Sequence, residues 1–521
     1  MATRFRVTYA TLSADNEDLQ AAYDEGLRLA KTWLGATIPG YVNGKPRTSG
    51  PIFTVTSPGD LSLQLCQVHE STRADVDDAV AAAAAAAPGW AAVPWQERIR
   101  QLRAVADLIS ERSNELAALM SLEVGKNRLE ALGDVEESAD LIRYYCQQIE
   151  DNDGFVKQMG TLSPREHNRS VMRPYGVWGV IVPFNFPMAL AAGPAGAALA
   201  AGNTVILKPS RQGSFSAAKL YECMRDAGLD PGLFHLLPGG DEVGAMLVAS
   251  PGVDGLTFTG SYAVGMQISG HFSDRYPKPV ICEMGGKNPA IVSRKADLDT
   301  AAAGIARSAF GMSGQKCSAC SRAYVQREVY DDFLAKLADK ASELAVGDPT
   351  GRSTFLGPVI DAEAVDRFTR AVAHAREKGR VVAGGEVLRG AAGLPDGYYL
   401  APTVVTGLPA DDWVLRDELF IPLIAVVPVD SLDEALDQAN DTDLGLTAGF
   451  FSTDQAEVGQ FLDRIQAGVV YVNRAAGATT GAWPGVQPFG GWKGSGSSGK
   501  AGGGLNYVQQ YMREQSQTVI A

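Results

Sequence analysis

Cysteine is scarce in this 521-residue chain: Cys66, Cys146, Cys223, Cys282, Cys317 and Cys320 are all it has. They show no framework spacing, which excludes a disulfide-stapled scaffold. The opening MATRFRVTYATLSADNEDLQ lacks the apolar run of a secretion signal, so a reducing, cytoplasmic setting is expected. Histidine is scarcer still, with five scattered residues and no HxxxH pair. A structural zinc needs four ligands, the single CxxC has no second pair to complete them, and no metal is expected. Excess positive charge is missing too. The formal net charge of −14 repels a polyanion, which argues against a nucleic-acid partner. The stretch most like a membrane span is GVWGVIVPFNFPMALAAGPAGAALAAG, 176 to 202, and Pro183, Asn185, Pro187 and Pro194 break it. It parses as a buried strand, a turn and a small-residue helix, so no membrane partner is expected.

What is present is an ordinary globular composition, 45% apolar and 20% charged. The length suits roughly two to four domains. The first stretch, to about residue 50, has no clean period, ends in GKPRTSGP and reads as an N-terminal arm. Helix follows in TRADVDDAVAAAAAAAPGW, capped by Ser71 or Thr72, then in WQERIRQLRAVADLISERSNELAALMSLEVGK and EALGDVEESADLIRYYCQQIED. From 170 to 292 short β-branched runs (VWGVIVPF, NTVILKP, LFHLLPG, GLTFTG, PVICEMG) alternate with helical stretches. That alternation predicts an α/β fold with a parallel sheet. A second α/β segment spans about 295 to 485, with strands in AYVQ, VVAGGEV, IAVVPV, TAGFFS and GVVYVN, and a glycine-rich loop then leads into a last strand.

Several short motifs carry chemistry. FTGS places Gly260 and Ser261 between a strand and a helix, where backbone N–H groups favour phosphate, although GxGxxG is absent. LKPS sets Lys208 and Ser210 at another strand end, and in PFNFP a rigid turn holds Asn185, whose amide suits a developing oxyanion. EMGGKNP puts Glu283 at the end of an apolar strand, where a raised pKa would fit a general base, or where it would simply pair with Lys287. GQKCSACSR admits a redox pair, although such a pair should follow the first strand of its domain. It also admits a nucleophile, Cys317, with Cys320 as a packed neighbour.

In this order and spacing, PFNFP, LKPS, FTGS, EMGGKNP, GQKCSACSR, ELFIP and PFGGWKGSG resemble the aldehyde dehydrogenase superfamily over roughly residues 40 to 515. The resemblance implies a Rossmann-type dinucleotide-binding domain with the N-terminal arm (1–147 and 171–292) and an α/β catalytic domain (293–486). It also implies an anchor loop and small β oligomerisation flap (148–170 and 487–521), and a homo-oligomer. Cys317 would be the nucleophile, Glu283 the base and Asn185 half of the oxyanion hole. Lys208, Ser210, Arg211, Gly260, Ser261, Glu418 and Phe420 would contact NAD or NADP.

Within the superfamily, GQKCSACSR and GVQPFGGWKGSGSSGKAGG look like the 1-pyrroline-5-carboxylate (glutamate γ-semialdehyde) dehydrogenase branch, with Ser318, Gly502 and Gly503 on the substrate carboxylate. SGSSGK departs from that branch's loop, Phe184 replaces a frequent tryptophan and Ile421 a usual glycine. Arg211 stands where NAD-preferring relatives often carry an acid, which leads us to expect that NADP is accepted. Succinate semialdehyde or a hydrophobic aldehyde is the alternative substrate. A CoA-acylating enzyme would not need Glu283, and a non-catalytic protein on this scaffold would not need Cys317.

Overall fold

The alternation of β-branched runs and helices becomes two seven-stranded sheets in the computed structural model, which describes residues 15–273, 276–391, 393–475 and 483–520. The first sheet runs in the order Val280–Glu283, Gly255–Thr259, Val177–Ile181, Thr204–Lys208, Phe234–Leu236, Gly40–Val42, Lys45–Arg47. Its first five strands are parallel, with Ile181 opposite Lys208 and Thr259 opposite Glu283, so both charged residues end their strands at the same edge. The second sheet runs Arg380–Ala383, Thr403–Thr406, Leu423–Val429, Cys320–Gln326, Asn288–Val292, Thr447–Phe451, Val469–Val472 and is parallel except for its first pair. Met512–Ile520, Glu166–Pro174 and Val156–Gln158 form a separate antiparallel ribbon.

Thr72 caps the alanine-rich helix Arg73–Ala92: it accepts from Asp75 N, and Asp75 Oδ2 accepts the Thr72 N–H at 2.8 Å. Val76, Ala79, Ala83, Ala87 and Trp90 recur on its buried side. The run 176 to 202 is a strand, a turn and the helix Ala189–Ala201, of which all but Leu190 is buried. Small residues let this helix approach its neighbour Arg128–Asp151. A Cβ on Gly193 would lie 2.8 Å from Leu141 Cδ1, and one on Gly196 2.8 Å from Ile142 Cγ1. Among the described residues no helix is long and apolar enough to cross a membrane.

The stretch read as an N-terminal arm folds onto the core from residue 17 onward; residues 1–14 lie outside the described residues. Glu17–Lys31 is a helix capped by Asn16 that buries Leu19, Tyr23, Gly26 and Ala30, and Tyr23 Oη donates to Ser121 Oγ at 2.7 Å. Leu19, Tyr23, Gly26 and Ala30 recur at helical spacing, so this stretch is an amphipathic helix and the reading of an arm without a clean period is corrected.

Candidate active site

The turn 183 to 188 leaves the Val177–Ile181 strand at its C-terminal end, where parallel sheets open to ligands. Two buried charges hold it. Lys126 Nζ lies 2.6 Å from Asp134 Oδ2 and 3.4 Å from the Phe186 ring centroid, while Asp134 Oδ1 accepts the Ala189 N–H at 2.7 Å. Both partners are fully buried, and burial opposes both charges, lowering the Lys126 pKa and raising that of Asp134. Removing one partner would leave the other uncompensated, at about 3–5 kcal/mol. Asn185, 3% exposed, donates through Nδ2 to the Gln315 carbonyl at 3.0 Å. Its second amide hydrogen is left for an oxyanion.

Gln315 belongs to the loop that carries Cys317. Met312 (φ 48°), Ser313 (φ 54°) and Gly314 (φ 72°) are all left-handed, a conformation that surrounding bonds must hold. Ser313 Oγ donates to Gly357 O at 2.6 Å, and Gln315 Oε1 accepts the Ile360 N–H at 2.8 Å. Glu130 accepts the Met312 N–H at 3.1 Å and Lys316 Nζ at 2.5 Å. A Cβ on Gly314 would lie 2.2 Å from the Ile421 carbonyl oxygen, so the ELFIP segment packs backbone to backbone against this turn. Beyond the turn, Asn288 Nδ2 donates to Cys317 O (2.7 Å) and Ala319 O (2.9 Å), and Thr447 Oγ1 donates to Ser318 O (3.2 Å). Cys317 stays partly exposed between buried neighbours.

Gly285 and Gly286 explain the double glycine of EMGGKNP. A Cβ on Gly285 would lie 1.9 Å from Glu418 Oε2, and one on Gly286 2.6 Å from Cys317 O. The segment is fixed from the C-terminal loop: Met284 N–H donates to Ser495 O (2.9 Å), and Ser495 Oγ to Gly285 O (2.6 Å). Lys287 is buried, and its Nζ has no hydrogen-bond partner among the described residues, so it does not neutralise Glu283. Burial pushes the Glu283 carboxyl up to about 8, against a smaller opposing pull from the Gly491 N–H, and Glu283 Oε2 is buried without a partner among the described residues. Burial likewise raises Glu418 to about 7, although it accepts the Gly286 N–H at 3.1 Å.

Desolvation, then the charges of Glu418 and Glu283, push the Cys317 thiol up to about 12. At neutral pH the sulfur therefore carries its proton. Cys320 is buried, and its Sγ donates to Arg322 O.

Lys208 ends its strand buried, and desolvation lowers its pKa to about 8. Ser210 Oγ is buried without a partner among the described residues, as a group that bonds a ligand would be. Ser261 caps the helix Tyr262–His271, and that helix exposes Val264 and Met266. These groups fit a dinucleotide: a cation, a free hydroxyl and a helix N-terminus along one sheet edge. Phe420 (φ 56°) meets Phe184 edge-on, with ring centroids 6.1 Å apart. Arg211 is not the free cation its sequence position suggests, because it is bonded to Glu70.

The loop expected to take a carboxylate is already hydrogen-bonded. Gly502 N–H donates to Phe489 O at 2.7 Å and Gly503 N–H to Tyr145 Oη at 2.9 Å. Tyr145 stacks on Tyr507 (5.2 Å), whose hydroxyl accepts from Tyr511 Oη (3.0 Å). Ser318 is 4% exposed, next to the thiol. Asn288 lies within EMGGKNP but was not singled out, while Tyr145, Glu130 and Glu70 carry no local signal, since their partners are remote in the chain.

The sequence profile of the Aldehyde dehydrogenase family matches residues 46–517. A 1-pyrroline-5-carboxylate dehydrogenase of Staphylococcus epidermidis is 36% identical over 502 residues, which cover 94% of this chain and 95% of that protein. A crystal structure of 1-pyrroline-5-carboxylate dehydrogenase from Thermus with bound NAD superposes at a TM-score of 0.93, with 33% identity and 100% of each chain covered. The lactaldehyde dehydrogenase of Escherichia coli superposes at 0.87, with 30% identity, covering 94% of this chain and all of that one.

Proposed function

This chain belongs to the aldehyde dehydrogenase family, and from that premise we propose that it oxidises L-glutamate γ-semialdehyde, the open form of 1-pyrroline-5-carboxylate, to glutamate with NAD or NADP. The observation that carries this reading is the meeting of three segments at Cys317: the Asn185 amide bonds the Gln315 carbonyl, Gly286 abuts Cys317 O, and the charge of Glu283 reaches the thiol. The substrate assignment is supported by relatives of that name spanning nearly the whole chain.

Cys317 sulfur adds to the aldehyde carbon and must lose its proton as it does so. The charges of two carboxylates reach it: Glu418 accepts the Gly286 N–H through one oxygen, and Glu283 Oε2 is buried with no partner among the described residues. We assign the base role to Glu283, at the strand end of EMGG: it takes the thiol proton, passes it to solvent once the adduct has formed, and then takes a proton from the water that cleaves the thioester. The second N–H of Asn185, together with the Cys317 backbone N–H, steadies the oxyanion. The dinucleotide, held by Lys208, Ser210, Gly260, Ser261, Glu418 and Phe420, supplies the hydride acceptor. Ser318, beside the thiol, donates to the substrate carboxylate, while Gly502 and Gly503 shape the loop above it through the bonds they already make.

We read the working form as a homo-oligomer. The ribbon of Met512–Ile520 and Glu166–Pro174 exposes Val519 and Ile520, and the neighbouring Leu162 is 96% exposed. Its free cysteines suit a reducing, cytoplasmic compartment.

Reduced-cofactor formation across an aldehyde panel tests the substrate. Glutamate γ-semialdehyde is expected to give the highest kcat/KM. Ser318→Ala should lower that value about 10–100-fold, as for loss of a hydrogen bond to a charged group, and leave propionaldehyde within about threefold. A panel led by an uncharged aldehyde, with Ser318→Ala neutral, would refute the substrate assignment and leave the family chemistry intact.

A further inference from the structure

Arg211 follows LKPS and Glu70 follows the strand Asp60–His69, yet the two meet beside the end of the Thr204–Lys208 strand. Arg211 Nη2 donates to Glu70 Oε1 at 3.0 Å and Oε2 at 2.9 Å. Glu70 Oε1 also accepts the Gly240 N–H at 2.7 Å, at the start of the helix Asp241–Val248. The guanidinium lies 5.0 Å over the Phe53 ring, and a Cβ on Gly240 would come within 3.1 Å of Arg211 Nε. Lys208 feels the charges of Asp241, Glu70 and Arg211. In dinucleotide folds a carboxylate at the adenosine end bonds the ribose 2′-hydroxyl of NAD, whereas an arginine there accommodates the 2′-phosphate of NADP. This chain presents both groups at one spot, and each holds the other.

We propose that Glu70 and Arg211 act as one selector for the adenosine ribose: Glu70 accepts from the ribose hydroxyls of NAD and, by holding Arg211, withdraws the cation that a 2′-phosphate needs. The inference rests on the dinucleotide-dependent reading above. A 2′-phosphate brought here meets the Glu70 carboxylate, with the charge of Asp241 acting on the same spot, while the Arg211 cation is already engaged. The Arg211 side chain is 50% exposed, so its pairing is weak in water and removing the Glu70 charge is enough to release it.

Calorimetric titration of the apoenzyme with NAD and with NADP tests this without turnover. Wild type is expected to bind NAD more tightly. Glu70→Gln should tighten NADP and weaken NAD, shifting the ratio of the two Kd values about tenfold or more. Arg211→Ala, which keeps the carboxylate, should leave NAD within about twofold and weaken NADP several-fold, and it serves as the test should Glu70→Gln fail to fold. A wild type that prefers NADP, a ratio that moves less than about twofold in Glu70→Gln, or an NADP affinity unchanged in Arg211→Ala each overturns the selector. Tight dinucleotide binding without aldehyde oxidation would instead sink the dehydrogenase reading, and the Kd ratios would still decide the selector.

Discussion

Cys317→Ala is expected to lower kcat/KM for aldehyde oxidation by about 10⁴-fold or more, because it removes the only partly exposed thiol among the described residues. The bonds that hold this loop run to backbone carbonyls, from Asn288 to Cys317 O and Ala319 O and from Thr447 to Ser318 O. Losing the sulfur therefore removes chemistry and leaves the loop standing. Dinucleotide affinity should stay within about twofold of wild type, which separates a chemical loss from a folding loss. Turnover within tenfold of wild type, measured as reduced-nicotinamide formation, would exclude Cys317 as the nucleophile. Cys320 is no substitute, since it is buried and its thiol is committed to the Arg322 carbonyl.

The second large effect is that of Glu283→Gln, for which kcat should fall about 10²–10⁴-fold, the usual contribution of a general base. The pH dependence gives the sharper reading. Burial raises this carboxyl to about 8, and the working form is the ionised one. Wild-type kcat should thus climb roughly tenfold per pH unit on the acid side of about 8 and level off above it. The glutamine variant, having nothing to ionise there, should show a flat profile over the same range. If the variant keeps the wild-type slope, the titrating base is another group, and Glu418, raised to about 7, is the first to examine.

Much of this was legible in short motifs because local geometry and chemistry coincide in them. Gly285, Gly286 and Gly314 each stand where a Cβ would strike a carboxylate or backbone atom of another motif, so the spacing of EMGG, GQKC and ELFIP records real contacts. The alternation from 170 to 292 likewise fixed the parallel sheet, since buried parallel strands must be continuously apolar. What escaped notice depends on pairs far apart in the chain. Glu130 meets Lys316 across 186 positions and Glu70 meets Arg211 across 141, and neither acid has a flanking pattern that announces its partner. Arg211 is the instructive case: its type and position argue for a phosphate-binding cation, and only the folded chain brings in the neutralising carboxylate. The same holds for Gly502 and Gly503, whose amides look free in sequence and are engaged by Phe489 and Tyr145 in space.

The dependence of the 283–286 segment on Ser495 orders events during synthesis. A ribosome emits Asn185 first, then Glu283, then Cys317, and only much later the serine that bonds Gly285 and whose carbonyl takes the Met284 N–H. Until that serine emerges, the nascent chain carries its reactive sulfur without the support that fixes the neighbouring carboxylate. The support of the 283–286 segment is thus completed only after both the base and the nucleophile have been made.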